Sequence, residues 1–236
     1  MSMKYMSLPQ HLSAERPLSF YLAMEEYAVH HLPDGDDDLF FLWQVAPTVI
    51  YGRNQVMANE LDADYCRRHG ISIVQRKSGG GCVYADQGNI MLSYITREQN
   101  TGLAFNTFIG MLVLVLRRMG VEAVGTAHND VLINGRKVSG TACYKLSQGC
   151  IVHGTLLYDI NMQHMLSALT PGPEKLQAKG IQSVRQRVTL LKDHTAMDIE
   201  EVKTVIRQTL CTGEHTLTEA DVAEIELLQQ HYGETT

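Results

Sequence analysis

Hydrophobic and polar positions along the chain fall into runs of two different periods. Residues 18–31 have helical spacing, with Leu22, Glu25, Glu26 and Val29 along the run and Pro17 at its start. The acidic segment 33–38 breaks it, and with no glutamate at the twelfth position it reads as a solvated turn rather than a calcium loop. Residues 39–45 and 48–51 are aromatic and β-branched and predict strands on either side of Pro47. Gly52-Arg53-Asn54-Gln55 follows as a polar turn, 59–69 as a short helix capped by Gly70, and 71–75 as a strand. After a glycine-rich stretch, 90–96 predicts another strand.

Residues 103–119 make the longest helical pattern, almost wholly apolar until Arg117-Arg118 and ended by Gly120. Such a helix is expected to be buried on most sides and to pack across a sheet. Residues 121–127 and 131–133 precede Asn134-Gly135, a type I′ hairpin signal, and 137–145 and 150–160 flank a second turn at Ser147-Gln148-Gly149. Adjacent hairpins mean antiparallel strands, so the fold class is α+β rather than a doubly wound parallel sheet. Beyond Asn161 the pattern turns helical and looser: a break at 170–173, a polar segment at 175–187, and helices at 198–210 and 219–231.

The 236 residues suit one large domain or two small ones, and 44% hydrophobic with 19% charged residues is enough for a sizeable core. A net charge of -6 disfavours bulk nucleic-acid binding but leaves room for a local basic pocket. No uninterrupted apolar run approaches the roughly 18 residues of a membrane span; the candidate at 111–116 meets Arg117-Arg118 at once. The N-terminus lacks the apolar core of a secretory signal. Five cysteines, odd in number and without a CxxC, read as reduced thiols in a cytoplasm.

The candidate chemistry centres on residues 75–89. The chain leaves a strand, passes Arg76 and Lys77, and turns through Gly79, Gly80 and Gly81, where backbone N–H groups can approach a ligand with no Cβ in the way. Cations beside bare amides suit an anion; a glycine-rich hairpin with two solvated cations is the competing reading. A P-loop is excluded because no lysine followed by Ser or Thr stands at the required distance, and a dinucleotide fingerprint because Tyr84 stands three beyond Gly81.

Arg76-x-Ser78-Gly79-Gly80-Gly81-x-Val83-Tyr84-x-Asp86-x-Gly88-Asn89 resembles the signature of the lipoate-protein ligase A family, within the biotin/lipoate protein ligase superfamily. Three further blocks are similar to that family in the same order: Asn129-Asp130 with Arg136-Lys137-Val138-Ser139-Gly140-x-Ala142; His153-Gly154-Thr155-Leu156-Leu157; and 178–188, containing Lys179, Arg185 and Arg187. The collinear matches run over about 52–188.

The resemblance implies a mixed, largely antiparallel sheet flanked by helices. It treats 1–236 as one catalytic domain, with the family's C-terminal accessory domain expected to be absent. It also implies a two-step reaction: lipoate attacks the α-phosphate of ATP to give lipoyl-AMP, and a carrier lysine then attacks the mixed anhydride. Catalysis of that kind rests on convergent cations rather than a protein nucleophile. The matched blocks offer Arg76, Lys77, Lys137, Lys179, Arg185 and Arg187.

Lys137, set by the tight Asn134-Gly135 turn, is the expected catalytic residue, against a solvated hairpin lysine. Ser78, Gly79, Gly80, Gly81, Val83, Tyr84 and Asn89 in the first block are expected at the ligand, as are Asn129, Ser139, Gly140, Ala142, Gly154 and Thr155. His153 is either a satisfied core histidine or a ligand contact. Asp130 is expected to hold Mg²⁺ beside ATP, against an Asx turn that opens a strand. Lys179 and Arg185 lie in a segment that resembles the family's adenylate-binding loop. The sequence departs from the family at Gln75, Ala85 and His128, where arginine, histidine and arginine are usual.

Expected partners are lipoyl carrier domains of 2-oxoacid dehydrogenase E2 or glycine-cleavage H protein, with a separate accessory protein as an option, and neither nucleic acid nor membrane. Two other functions stay open: an octanoyl- or lipoyltransferase working through a cysteine thioester, for which Cys82, Cys143 and Cys150 are candidates, and a lipoate or lipoyl-AMP binder. The ten histidines show no HExxH or HxH spacing, which argues against a metal hydrolase.

Overall fold

The computed structural model describes residues 2–33, 35, 37–127, 129–170 and 187–235. The α+β prediction holds, with a mixed sheet flanked by helices. Strands β1 (Met3–Ser7), β2 (Asp38–Trp43), β6 (Asn89–Thr96), β7 (Val124–Gly125), β8 (Asp130–Ile133), β9 (Arg136–Lys145), β10 (Cys150–Leu157) and β11 (Gly213–Thr216) form the large sheet. Its order is β11-β1-β2-β6-β10-β9-β8-β7. A smaller sheet has the order β12-β4-β3-β5, from β3 (Thr48–Gly52), β4 (Ser72–Arg76), β5 (Val83–Ala85) and β12 (Glu234–Thr235).

Every residue of β6 and β10 is buried. Both faces of these central strands are covered, which is why they read as continuous apolar runs rather than alternating ones. One face carries α1 (Leu18–His30), packed with Phe41, Trp43, Ile95 and Ile151. Helix α6 (Glu219–Gln229) lies beside α1, tied by Tyr27 to Asp221 and by Arg16 to Glu226. The other face carries α3 (Thr101–Arg118) and α5 (Ile199–Leu210) against Phe40, Leu92, Val152 and Leu156. A third cluster joins Val49, Ile73 and Tyr84 of the small sheet to Cys66 of α2 (Ala63–Arg68) and Met165 of α4 (Met162–Ala168).

Helix α3 corrects an expectation. Only 33% of it is buried, through Ala104, Phe108, Ile109, Leu112, Val115 and Leu116 on one stripe, while Leu103 and Leu114 are exposed. It is long and apolar enough to cross a membrane by composition, yet it lies with one side on the sheet. Near-uniform apolarity hid the 3.6-residue period that separates its two faces.

Four strands, β1, β5, β11 and β12, carried no signal in the pattern. Strand β1 pairs in parallel with β2 and with β11, and β11 is largely exposed. Short strands have little alternation to read, and these parallel pairs join positions about 35 and 209 apart by the register Met3 with Asp38 and Lys4 with Gly213.

Candidate active site

The loop from β4 to β5 is built around a buried cation. Arg76 is 6% exposed and turns away from solvent. Its Nε and NH2 donate to the Gly79 carbonyl at 3.2 and 2.8 Å, NH2 to Gly81 at 2.6 Å, and NH1 to Ile50 at 3.2 Å. Burial pulls its pKa down to about 10, so it stays charged at neutral pH.

The expectation that Arg76 faces an anion directly is therefore corrected: its donors point at the chain's own carbonyls. Because a trans peptide sets C=O and the following N–H on opposite sides, fixing the carbonyls of Gly79 and Gly81 turns the N–H groups of Gly80 and Cys82 away from the guanidinium. Among the described residues, the N–H groups of Gly79, Gly80 and Gly81 donate to no protein group. Gly80 has φ +93°, which a side chain would strain. The loop thus presents unengaged amides with a cation behind them, a donor arrangement that suits an anion.

The two residues after Arg76 are gripped from the scaffold, Lys77 by α1 and Ser78 by β10. Lys77 Nζ lies 2.6 Å from Glu26 Oε2 and 4.4 Å from the centre of the Tyr232 ring, and Tyr232 Oη donates to the same carboxylate oxygen at 2.6 Å. Burial by itself would raise the Glu26 pKa; the bonds from Lys77 and Tyr232 outweigh it and hold the carboxyl below its ordinary range. Lys77 is thus latched to the scaffold. Ser78 Oγ lies 2.8 Å from His153 Nε2, and His153 Nδ1 lies 2.9 Å from Glu25 Oε2.

Opposite the loop, the hairpin β8–β9 gathers charge. Asp130 holds Lys137 Nζ at 2.7 Å through Oδ1 and Arg187 NH2 at 2.8 Å through Oδ2. Lys137 is bridged in parallel to Val188, and Thr189 N–H donates to the Lys137 carbonyl, which brings Arg187 to the same place. Gly140, paired with Asp130, leaves room for the lysine; a Cβ there would stand 2.5 Å from Lys137 Nζ. Asn129 enters β8 at φ 63°, and its carbonyl accepts from Thr141 N–H.

Register then decides which motif residues share this face. Gly140 faces Thr155 and Ala142 faces His153 across β9 and β10, so these four lie on the side of Lys137 and the glycine loop. A Cβ built on Gly80 would lie 3.8 Å from Ala142 Cβ, which puts the loop above β9. Ser139 and Gly154 fall on the opposite side and are corrected. Ser139 is paired with Leu156 and Val131 of the α3-side core, and its buried hydroxyl has no partner among the described residues. A Cβ on Gly154 would stand 2.9 Å from the Phe108 ring, so that glycine admits α3 rather than a ligand.

Tyr84 is corrected likewise: its ring is core and its hydroxyl donates to Asp86. Asp86 also accepts from Gly88 and Asn161 N–H, which makes it a staple of the turn. Val83 packs at the edge of the α1-side core. Asn89 is fully buried, donating to Met91 sulfur, with its carbonyl oxygen unpartnered among the described residues. Lys179, Arg185 and His128 lie outside the described residues.

Glu25, Ser93 and Trp43 join the Ser78–His153 cluster with no motif to mark them. Glu25 is 2% exposed, and Ser93 Oγ donates to it at 2.5 Å while accepting from Trp43 Nε1 at 2.8 Å. A carboxylate inside the apolar run of α1 was the available signal, since such a group is almost never buried without partners.

No group of three His, Cys, Asp or Glu suited to a metal occurs among the described residues. Asp130 has both oxygens on cations, Lys137 and Arg187. Burial pushes the Cys82 and Cys143 thiols up to about 12 and raises Cys150, so none is a ready thiolate nucleophile. Trp43 also borders a polar cleft of about 600 Å³ with Tyr5, Tyr21, Lys203 and Arg207. Its cations are paired with Glu200 and Glu214, and none of the motif residues expected at the ligand lines it.

Comparison with known proteins gives concordant matches. The family described as lipoyl protein ligase A/B catalytic domain matches residues 17–211. Lipoate–protein ligase 1 of Staphylococcus aureus is 36% identical over 214 residues, 88% of this chain and 65% of that protein. Lipoate-protein ligase LplJ of Bacillus subtilis is 38% identical over 174 residues, 73% of this chain and 52% of that protein. The chain thus spans less than two thirds of the length of either. Among solved structures, a bipartite lipoate protein ligase of Thermoplasma acidophilum, described with its E2 lipoyl domain, superposes with a TM-score of 0.81 at 26% identity, covering 98% of this chain and 92% of that one.

Proposed function

This chain belongs to the lipoyl protein ligase A/B catalytic-domain family, and from that premise we propose that it activates lipoate with ATP to lipoyl-AMP and loads the lipoyl group onto a carrier lysine. The observation that carries this reading is the convergence of Lys137 and Arg187 on Asp130, on the sheet face that the unengaged amides of Gly79–Gly81 overlie. Adenylation joins a carboxylate to the α-phosphate and expels pyrophosphate. Negative charge gathers while no bond to the protein forms, so fixed cations and amide donors supply what the step needs.

In this reading Lys137 is the catalytic cation, meeting the carboxylate and the α-phosphate. Asp130 keeps two like charges side by side until a polyphosphate, with several anionic oxygens, draws both from a single carboxylate. Mg²⁺ enters only as the ordinary companion of ATP phosphates. The acceptor is a lipoyl carrier domain of a 2-oxoacid dehydrogenase E2 or a glycine-cleavage H protein. The raised pKa values of the half-buried Cys82 and Cys143 thiols weigh against a cysteine thioester transferase.

Mixing the chain with ATP, lipoate and an apo carrier domain, and weighing the carrier, tests the whole sequence. A carrier heavier by one lipoyl group, with lipoate-dependent pyrophosphate release, is the expected result. Transfer from octanoyl-carrier without ATP would replace this reading with the transferase. Pyrophosphate release with an unmodified carrier would require a second polypeptide for transfer.

A further inference from the structure

Adenylation needs no protein nucleophile, yet one stands in this site with a base behind it. Ser78 Oγ is 2.8 Å from His153 Nε2; His153 Nδ1 is 2.9 and 3.1 Å from the two oxygens of Glu25. The direction of the hydrogen bonds behind His153 follows from Trp43. Trp43 Nε1–H can only donate, so Ser93 Oγ accepts from it and sends its own hydrogen to Glu25. Glu25 therefore acts as acceptor, His153 donates from Nδ1, and with one proton on the ring Nε2 is left to accept the Ser78 hydroxyl hydrogen. Nucleophile, base and orienting acid are in hydrogen-bond reach in the order acyl transfer requires.

We infer that Ser78, His153 and Glu25 give this site a second activity, the transfer of an acyl group from an activated ester or mixed anhydride to water by way of a seryl ester. The acyl class rests on the proposed function; the relay itself does not. Ser78 Oγ attacks the acyl carbon, the bond from that carbon to the leaving oxygen breaks, and His153 takes the hydroxyl proton and passes it to the leaving group or to solvent. Water then attacks the seryl ester, His153 takes its proton and returns it to Ser78 Oγ, and the free carboxylic acid departs.

The unengaged N–H groups of Gly79, Gly80 and Gly81 follow the serine directly and supply donors for the oxyanion. Ser78 and His153 are 2% and 8% exposed, so the acyl donor and the hydrolytic water must both enter from the side of the glycine-loop amides. Such a step would discharge activated acyl groups that no carrier lysine has taken. Ser78 and His153 are the reacting groups; Glu25 and Ser93 position them.

The test uses the full chain, an alkyl fluorophosphonate and p-nitrophenyl octanoate. One phosphonate per chain, mapped to Ser78 by peptide mass, with parallel loss of ester hydrolysis, is the expected result. Glu25→Gln, which keeps the shape but removes the carboxylate, lowers the phosphonylation rate by roughly 10²–10⁴-fold, by analogy with the loss of the orienting acid in serine proteases. No label on the wild-type chain, a label on any other residue, or an unchanged rate in Glu25→Gln overturns the inference, and the wild-type mapping stands even if a variant fails to fold. Lipoate-dependent pyrophosphate release from the same preparation separates the two readings. If it is present without a label, only the inference falls; if a label forms without it, only the ligase reading falls.

Discussion

The two walls of the site use positive charge in opposite ways. On the glycine-loop wall, Arg76 is buried and faces carbonyls of its own backbone. On the β8–β9 wall, Lys137 and Arg187 keep 21% and 28% of their side chains exposed and share one carboxylate, that of Asp130. Arginine suits the first task because its planar fork reaches several fixed acceptors at once and stays protonated when buried. A lysine suits the second, as a compact charge on a flexible stem. A basic residue in a motif is therefore no guide to its work until its burial is known.

Removing Arg76 should have the largest effect and should act on stability. Arg76→Ala removes the guanidinium from the buried Ile50 carbonyl and the part-buried carbonyls of Gly79 and Gly81, at a cost of about 3 kcal/mol, which lowers Tm on the order of 10 °C in a domain of this size. Arg76→Lys should not restore it, since one ammonium cannot serve carbonyls of Gly79, Gly81 and Ile50 together. A Tm within experimental error of wild type in either variant would remove the difference between the walls.

Lys137→Ala should reverse that pattern, with the fold intact and lipoyl-AMP formation slowed by roughly 10²–10³-fold, the usual loss when one charge-stabilising group is removed. Gly140→Ala sharpens the point: a methyl 2.5 Å from Nζ displaces the lysine while every charge stays. An adenylation rate equal to wild type in Lys137→Ala, with an unchanged melting curve, would leave that residue without its role.

The smallest effect belongs to the latch on Lys77. Glu26 has a folded pKa below its unfolded value, so its contribution is fully present above the ordinary carboxylate range and disappears as pH falls through the folded pKa. The difference in urea stability between wild type and Glu26→Gln should be constant above about pH 5 and shrink below it. A difference that stays the same in acid would mean that the carboxylate charge contributes nothing.

Much of the fold was legible because hairpin turns and apolar runs are local signals. Asn134-Gly135 marks the turn between β8 and β9, and Asp198 and Thr218 accept from the third residue on as N-caps of α5 and α6. The site was legible as residue types and far less as directions. Ser139 and Gly140 are neighbours in one motif, yet the pleat sends one to α3 and leaves the other beneath Lys137. Gly80 and Gly154 are both motif glycines, one bare for backbone conformation and the other for the Phe108 ring.

Composition, period and turn chemistry thus determined the class of fold, the order of most elements and the set of polar groups from which a site could be made, since each depends on residues a few positions apart. Only the tertiary structure decided that Glu25 lies behind His153, 128 positions away, that Arg76 turns inward, and that Asp130 joins Lys137 to Arg187. Those are contacts across sheets and helix faces. Their partners are chosen by strand register and by the cost of burying a charge unpaired, and neither has a period that a sequence can display.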